Sequence, residues 1–367
     1  MLPLGETAVA TPGRRSGAGP AVDLRTKVEF LLRPENYPER PRQVEAKETH
    51  MSWVFLTDAL AYKLKKPVRY LFLDYSTIEA RRINCEAEIR LNRRLAPDVY
   101  LETVPLGIDR SGRLCLGGGR PVDWLVKMRR LGDGGALDRA IRANAVTQTD
   151  IHRLGAKLGV FYRHAPRMDI SPESYRRRFS DDISFTRRTL LRARYALSAA
   201  AVRDVALALR RYLKEHGERL DQRVVEGRIM EGHGDLRPEH VYLGPDPIIT
   251  DCLEFNLELR TVDPADELAY LVMECEREGA MLVGPWLLRA YREATGDRPP
   301  PDLLAFYKCH RAFLRARIAI AHLDEPSVAD PEKWRARTWS YLMLAKRYIP
   351  LFARPEPLSL DSQEIDD

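Results

Sequence analysis

Two apolar runs, SWVFL (52–56) and LAYKL (60–64), flank the short link TDA. β-prone residues on either side of a polar link predict a hairpin, with Thr57 and Asp58 in its turn. Ahead of it, KVEFLLRPENYPERP is a short amphipathic piece ended by prolines. The next segment, STIEARRINCEAEIRLNRRLAP, changes period. Ile83, Ala87, Leu91 and Leu95 recur at helical spacing, Ser76 with Glu79 reads as a capping box, and Pro97 stops the helix. Strand-like runs return at YLETVPLGI and RLCLGGGRPVDWLVKMRRL, with glycines as turn-formers between them. Residues 45–130 therefore predict a small α+β unit.

From about Thr147 the texture is helical. Ile151, Leu154, Leu158 and Phe161 share one face, and Val202, Val205, Leu209 and Tyr212 share another. A β-like interruption spans 229–262, after which Asp263-Pro264 marks a helix start with proline at its first position. Leu268, Leu271, Val272 and Cys275 mark that helix's buried side, and the remainder to about Phe352 is mostly helical. No internal repeat is visible.

Composition narrows the class. The chain has 367 residues, 44% hydrophobic and 31% charged, enough for two lobes with cores of their own. No run of 18 apolar residues is present, so no membrane span is expected. The first residues, MLPLGETAVATPGRRSGAGP, lack the apolar stretch of a signal peptide and read as a disordered leader. Five scattered cysteines without a CxxC pair fit free thiols in a reducing compartment, hence a cytoplasmic protein. The net charge of +6 is uneven: residues 167–211 hold eleven arginines against five acids. Such a stretch is either the wet side of helices or a surface that attracts phosphates and acidic substrates. It lacks the interleaved aromatics that stack on bases, so nucleic acid is not the expected partner.

The candidate chemistry sits in HGDLRPEHVYL (233–243) and PIITD (247–251). An aspartate two residues after a histidine, in a loop between short apolar strands, can act as a base towards an incoming hydroxyl. An acceptor five residues on, His240, can hold a divalent ion, and Asp251 at the end of the next strand can bridge to it. This layout suits phosphoryl transfer. The set His233, Asp235, His240 and Asp251 also has the ligand types of a metal-dependent hydrolase. The glycine clusters LGGGR and LGDGG lack the lysine and hydroxyl of a phosphate loop.

HGDLRPEH, IITD and VDPADELAYL resemble the aminoglycoside phosphotransferase-like branch of the protein-kinase-like fold. THMSWVFLT, YKLKKPV, CEAEIRLNRRLAPDVYL and DCLEFN resemble an uncharacterised bacterial family of such enzymes, over roughly Val28 to Arg277. The resemblance implies an α+β, bilobal fold with a small β-rich N-terminal lobe and a larger, mostly helical C-terminal lobe. The expected division is a leader at 1–22, a nucleotide-binding lobe at 23–131, a catalytic and substrate lobe at 132–355, and a flexible acidic tail at 356–367.

It further implies ATP and a divalent metal, Mg²⁺ or Mn²⁺, as cofactors, and a small-molecule hydroxyl as acceptor. Asp235 would be the catalytic base and Asp251 a metal ligand. Lys63 would meet the α- and β-phosphates, with Lys65 as a competitor on the same strand face. Glu88, rather than Glu86, would pair with the lysine. Met128, in LVKMRR, would lie at the hinge that meets adenine, Asp266 would brace the catalytic loop, and Ser52 would lie over the phosphates. There is no glycine-rich loop, and His240 stands where the family pattern has asparagine. Imidazole is softer than an amide oxygen, so His240 as a metal ligand would favour Mn²⁺ relative to Mg²⁺. It must be neutral to ligate, so activity is expected to fall at acid pH. These two departures keep a nucleotide-binding scaffold without transfer activity as an alternative. The basic stretch points to an anionic acceptor rather than a cationic aminoglycoside.

Overall fold

The computed structural model describes residues 22–70, 73–324, 328 and 330–353; the expected leader (Val22 apart) and acidic tail lie outside them. The chain forms two compact units, one of residues up to Asp169 with Gly227–Asp297, the other of Ile170–Glu226 with the residues from Arg298 on. Among the described residues no helix is long and apolar enough to cross a membrane.

The first unit opens with α1 (Leu24–Leu31), then β1 (Glu45–Glu48), β2 (Ser52–Leu56) and β3 (Leu60–Lys65). A short pair, β4 (Arg69–Tyr70) and β5 (Leu73–Asp74), leads to α2 (Ile78–Asn92), followed by β6 (Tyr100–Ile108), β7 (Leu114–Leu116) and β8 (Arg120–Arg129). Six strands pair antiparallel in the order β1-β2-β3-β8-β6-β7. The SWVFL–LAYKL hairpin is β2–β3, with Leu56 opposite Ala61. Its alternation has a chemical consequence. Phe55, Tyr62 and Leu64 enter an apolar core with Leu31, Leu106 and Leu125. Residues 61, 63 and 65 therefore face the other way, where α2 lies against β8.

Helix α2 differs from the sequence expectation in two respects. Its N-cap is Thr77, whose side chain accepts from the Ala80 N–H, so the box built on Ser76 does not form. Ser76 instead bonds Asp74. Leu91 and Leu95 are buried as expected, but Ile83 is 52% exposed. The inward face carries Arg81, Cys85, Glu88 and Asn92. That face is polar because Arg81 meets the buried Asp123 at 2.7 Å and Glu88 meets lysines, so apolar periodicity alone misplaces it.

Helices α3 (Leu137–Arg142) and α4 (Gln148–His164) continue this unit. The second unit's α5 (Pro172–Leu190), α6 (Ala199–Glu215) and α7 (Glu218–Val225) then intervene. The expected β-like interruption is a set of two-residue strands, β9 (Met230–Glu231), β10 (Val241–Tyr242), β11 (Ile248–Ile249) and β12 (Thr261–Val262), with a one-turn α8 (Leu257–Arg260). The helix start at Asp263-Pro264 is α9 (Pro264–Arg277), capped by the Asp263 side chain on the Ala265 N–H. It is buried on all sides rather than along one stripe, and α10 (Val283–Thr295) closes the unit. The four-residue faces expected in α4 and α6 are all buried.

In the second unit α11 (Pro301–Ala321) and α12 (Pro331–Phe352) join α5–α7. The rings of Tyr212 and Phe306 stack at 4.6 Å, and buried Asp182 sits between His310 (3.0 Å) and Arg317 (2.9 Å).

Candidate functional site

Ser52, Lys63, Glu88, Met128, Asp235, His240 and Asp251 line one cavity of about 520 Å³ in the first unit. Strand β3 contributes Lys63 and α2 contributes Glu88, whose Oε1 lies 2.8 Å from Lys63 Nζ. The same ammonium is 3.1 Å from Asp251 Oδ1. Burial works against the charge on Lys63, but Asp251, Glu88 and Glu254 outweigh it and hold its pKa well above the ordinary value. Lys63 in turn holds the Asp251 carboxyl far below the usual range. Glu86, the rejected alternative, points outward and pairs with Arg82.

Lys65 does not compete with Lys63; both share one carboxylate. Lys65 is fully buried, its Nζ 2.6 Å from Glu88 Oε2 and 3.3 Å from the Tyr75 hydroxyl, and it also bonds Glu254 Oε1. Tyr75 donates to the same Glu254 oxygen at 2.6 Å.

The catalytic-loop candidates are placed by tight backbone geometry. Gly234 has φ +89°, and a Cβ there would lie 3.1 Å from both Leu253 Cδ1 and the Leu259 carbonyl, so the turn between His233 and Asp235 requires glycine. The backbone N–H groups of His233 (3.0 Å) and Gly234 both donate to Glu267, which also accepts from Tyr162 at 2.9 Å. Glu267, next to the expected Asp266, is thus a carboxylate that braces the loop. Glu267 lies one turn into α9, and the helix start at Asp263 was the signal that could have located it.

Asp235 has both oxygens engaged. Tyr270 donates to Oδ1 at 3.1 Å, and Arg237 approaches Oδ2 through Nε (3.0 Å) and Nη2 (2.9 Å). Arg237 also binds Glu239 and brings Nη2 to 3.2 Å from His240 Nε2. His240 Nδ1 lies 2.9 Å from the Asp235 carbonyl, so Nδ1 carries the proton and Nε2 presents its lone pair. That lone pair is 3.5 Å from Asp251 Oδ2. The two residues are eleven apart in sequence but adjacent in space because β10 pairs with β11 and the Thr250 N–H binds the His240 carbonyl at 2.9 Å.

Asp251 has φ +63°, the left-handed region, uncommon for a residue other than glycine. Its N–H donates to the Tyr100 hydroxyl at 3.1 Å, and the next N–H, of Cys252, donates to Asn92 Oδ1 at 2.8 Å. The last two turns of α2 therefore carry both Glu88 and an anchor for the Asp251 segment.

His233 takes no ligand position. It is fully buried, its Nε2 donating to the Thr250 carbonyl at 2.9 Å and its Nδ1 accepting from the Asp235 N–H at 3.3 Å. Among the described residues no group of three or more His, Cys, Asp or Glu is placed to hold a metal. With both ring nitrogens engaged, His233 does not join Asp235, His240 and Asp251 as a fourth ligand. Burial lowers the His233 pKa from 6.5 to about 4. The unfolded chain takes up this proton near pH 6.5 and the folded one only near 4. Stability contributed by neutral His233 is therefore complete above pH 6.5 and falls as the pH drops to about 4, by about 3 kcal/mol in all. Urea unfolding across that range should show the loss, and His233→Gln should remove this component of it; an unchanged slope in the variant would assign it to other groups.

Ser52 is buried and lines the cavity, as do Met128 and the β1–β2 turn Thr49–Met51 that stands where a glycine-rich loop is missing. Cys252, beside Asp251, is a free thiol whose pKa burial raises to about 12, which excludes it as a nucleophile at neutral pH. In the second unit the arginine-rich stretch is largely paired: Arg176 with Asp221 (2.8 Å), Arg194 with Asp324 (2.6 Å) and Arg211 with Glu215 (2.9 Å). A cavity of about 390 Å³ there is lined by Arg176, Arg177, Arg210 and Lys214 with Glu173.

No family model matches the chain. Uncharacterized proteins of Mycobacterium tuberculosis and Mycobacterium bovis are 32% identical to it over 288 residues, 77% of this chain. The chain spans 56% of the length of these curated relatives. Among solved structures, a choline/ethanolamine kinase family protein from Mesorhizobium loti aligns with a TM-score of 0.53 and 18% identity, over 89% of this chain and 96% of its own. Choline kinase from Cryptosporidium parvum aligns with a TM-score of 0.52 and 8% identity, over 89% and 99%. At such identities the likeness is one of fold.

Proposed function

Because the chain has a protein-kinase-like fold of the aminoglycoside phosphotransferase type, we propose that it moves the γ-phosphate of ATP to a hydroxyl of a small molecule. The observation that carries this reading is the convergence on one cavity of the Lys63–Glu88–Asp251 chain and the Asp235–Arg237–His240 cluster. A hydrolase gives no role to the first, and a plain polar loop gives none to either.

In this reading Asp235 orients the acceptor hydroxyl and takes its proton on a carboxylate oxygen. Tyr270 and Arg237 fix the carboxylate plane, and Arg237 adds positive charge beside the transferring group. Lys63, steered by Glu88, meets the α- and β-phosphates. Met128 and its strand face the base, and Ser52 with the Thr49–Met51 turn covers the phosphates through side chains and backbone. A divalent metal would be held by Asp251 Oδ2 and, once Arg237 Nη2 gives way, by His240 Nε2, which stand 3.5 Å apart, with phosphate oxygens completing the shell. The metal, Mg²⁺ or Mn²⁺, would supply charge neutralisation to the phosphates. The acceptor is proposed to carry an anionic group, in keeping with the arginine-rich stretch of the sequence, and the protein to act in the cytoplasm, which the scattered free thiols support.

The test is nucleotide binding and γ-phosphate release by the purified protein with Mg²⁺ and Mn²⁺ in parallel. Turnover with either metal is expected, and His240→Asn should lower the Mn²⁺-to-Mg²⁺ rate ratio. An unchanged ratio removes His240 from the metal. Tight ATP binding without turnover under any metal would leave a nucleotide-binding scaffold, and absence of binding would overturn the reading.

A further inference from the structure

The charged groups behind the cavity form a closed circuit that the phosphotransfer reading does not use in full. Lys65 is absent from the cavity wall and has no solvent exposure, yet it carries a charge held between two carboxylates. A buried ammonium is expensive to desolvate, and an apolar side chain of similar length would pack there without that penalty. Following contacts from the cavity gives Asp251, Lys63, Glu88, Lys65 and Glu254 in alternating sign. The circuit closes covalently, because Glu254 lies three residues after Asp251 in DCLE.

We propose that Lys65 and Glu254 form a positioning pair that orients Glu88 for Lys63 and holds the Asp251 segment in place to receive the cation. The proposal rests on the phosphotransfer reading and adds two residues to it.

Three observations support it. Glu88 divides its oxygens, Oε1 to Lys63 and Oε2 to Lys65, so the buried lysine fixes the rotation of the carboxylate and leaves one oxygen for the cavity lysine. Residues 251–254 have no regular secondary structure and begin at the left-handed Asp251, so their course depends on side-chain anchors. Arg260 holds the carbonyls of Leu253 (2.9 Å) and Glu254 (3.2 Å), while the Glu254 side chain reaches the opposite way to Lys65 and Tyr75. Finally, three carboxylates and two ammonium groups leave one net negative charge, carried at the cavity end by Asp251, whose side chain is half exposed. Removing the Glu254 charge would cancel it and leave Lys65 to draw Glu88 away from Lys63.

The variants Glu254→Gln, Lys65→Met and the double variant Lys65→Met/Glu254→Met separate positioning from packing. Glu254→Gln keeps size and the acceptor for Tyr75. Each single variant should raise the Mg²⁺ concentration needed for half-maximal turnover at saturating ATP about 10-fold, as supporting groups around metal ligands do. The double variant, with no buried charge left unmatched, should recover wild-type thermal stability yet keep the raised Mg²⁺ requirement. If it recovers the wild-type requirement as well, or if Glu254→Gln never loses it, the pair is packing and the proposal fails. Lys63 modification by acetic anhydride, read by mass spectrometry without nucleotide, is independent of catalysis. Lys63 should become more reactive in Glu254→Gln, and unchanged reactivity overturns the proposal even if the wild-type protein proves to bind no ATP. Absence of ATP binding with increased Lys63 reactivity would instead overturn the phosphotransfer reading and leave the Lys65–Glu254 control of Glu88 standing.

Discussion

Asp235→Asn is expected to lower γ-phosphate transfer by about two to four orders of magnitude, the range for removal of a positioned general base. Nucleotide affinity should stay near wild type, because Lys63 and Asp251, rather than Asp235, are proposed to hold the phosphates and metal. The geometry explains why so small a change should matter. Both oxygens of Asp235 accept from protein donors, Tyr270 on one side and Arg237 on the other. An amide turned with its nitrogen towards Arg237 opposes two donors; turned the other way, it loses the acceptor for Tyr270. Either orientation also lacks a carboxylate for the acceptor's proton. Single-turnover transfer measured beside equilibrium nucleotide titration separates the effects. Undiminished transfer would show that some other group takes the proton.

Glu88→Leu should have the largest effect on stability. Its carboxylate is 1% exposed and is shared by two ammonium groups, at 2.8 and 2.6 Å. Leucine fills similar volume, so the loss is chiefly electrostatic: Lys63 and Lys65 would face each other across an apolar gap. Breaking a buried ion pair from one side typically costs about 3–5 kcal/mol. The remaining carboxylates, Asp251 and Glu254, hold the outer sides of the two lysines and place the expectation towards the lower end. Urea unfolding gives the value directly. A loss below about 1 kcal/mol, the size of an exposed pair, would mean that water reaches the lysines and the network is not closed.

Both expectations depend on contacts that differ greatly in how far the sequence discloses them. The β2–β3 hairpin and the start of α9 follow from local rules, alternation about a polar link and an Asp-Pro cap, and both are where those rules put them. Glu88 could be chosen over Glu86 because the leucines at 91 and 95 set a helical register, and it is Glu88 that points inward. The same rule fails at Ile83. Apolar spacing assumes that the buried face is oily, and the buried face of α2 mixes Cys85, Ile89 and Leu91 with Arg81, Glu88 and Asn92.

What the sequence by itself determined, then, is the β2–β3 hairpin, the start of α9, the sheet-bearing α+β character of the first unit, and the residue types gathered around HGD and IITD. These rest on short-range physics: backbone preference, side-chain period and the chemistry of each side chain. The tertiary structure alone decided the partners. That Lys65 joins Lys63 on one carboxylate, that Glu254 returns to Lys65, that Glu267 braces the loop, and that His233 faces inward while His240 Nε2 comes within 3.5 Å of Asp251 all depend on separations of up to 189 residues. Electrostatic pairing is set by distance in space, and a carboxylate in sequence carries no mark of which cation it will meet.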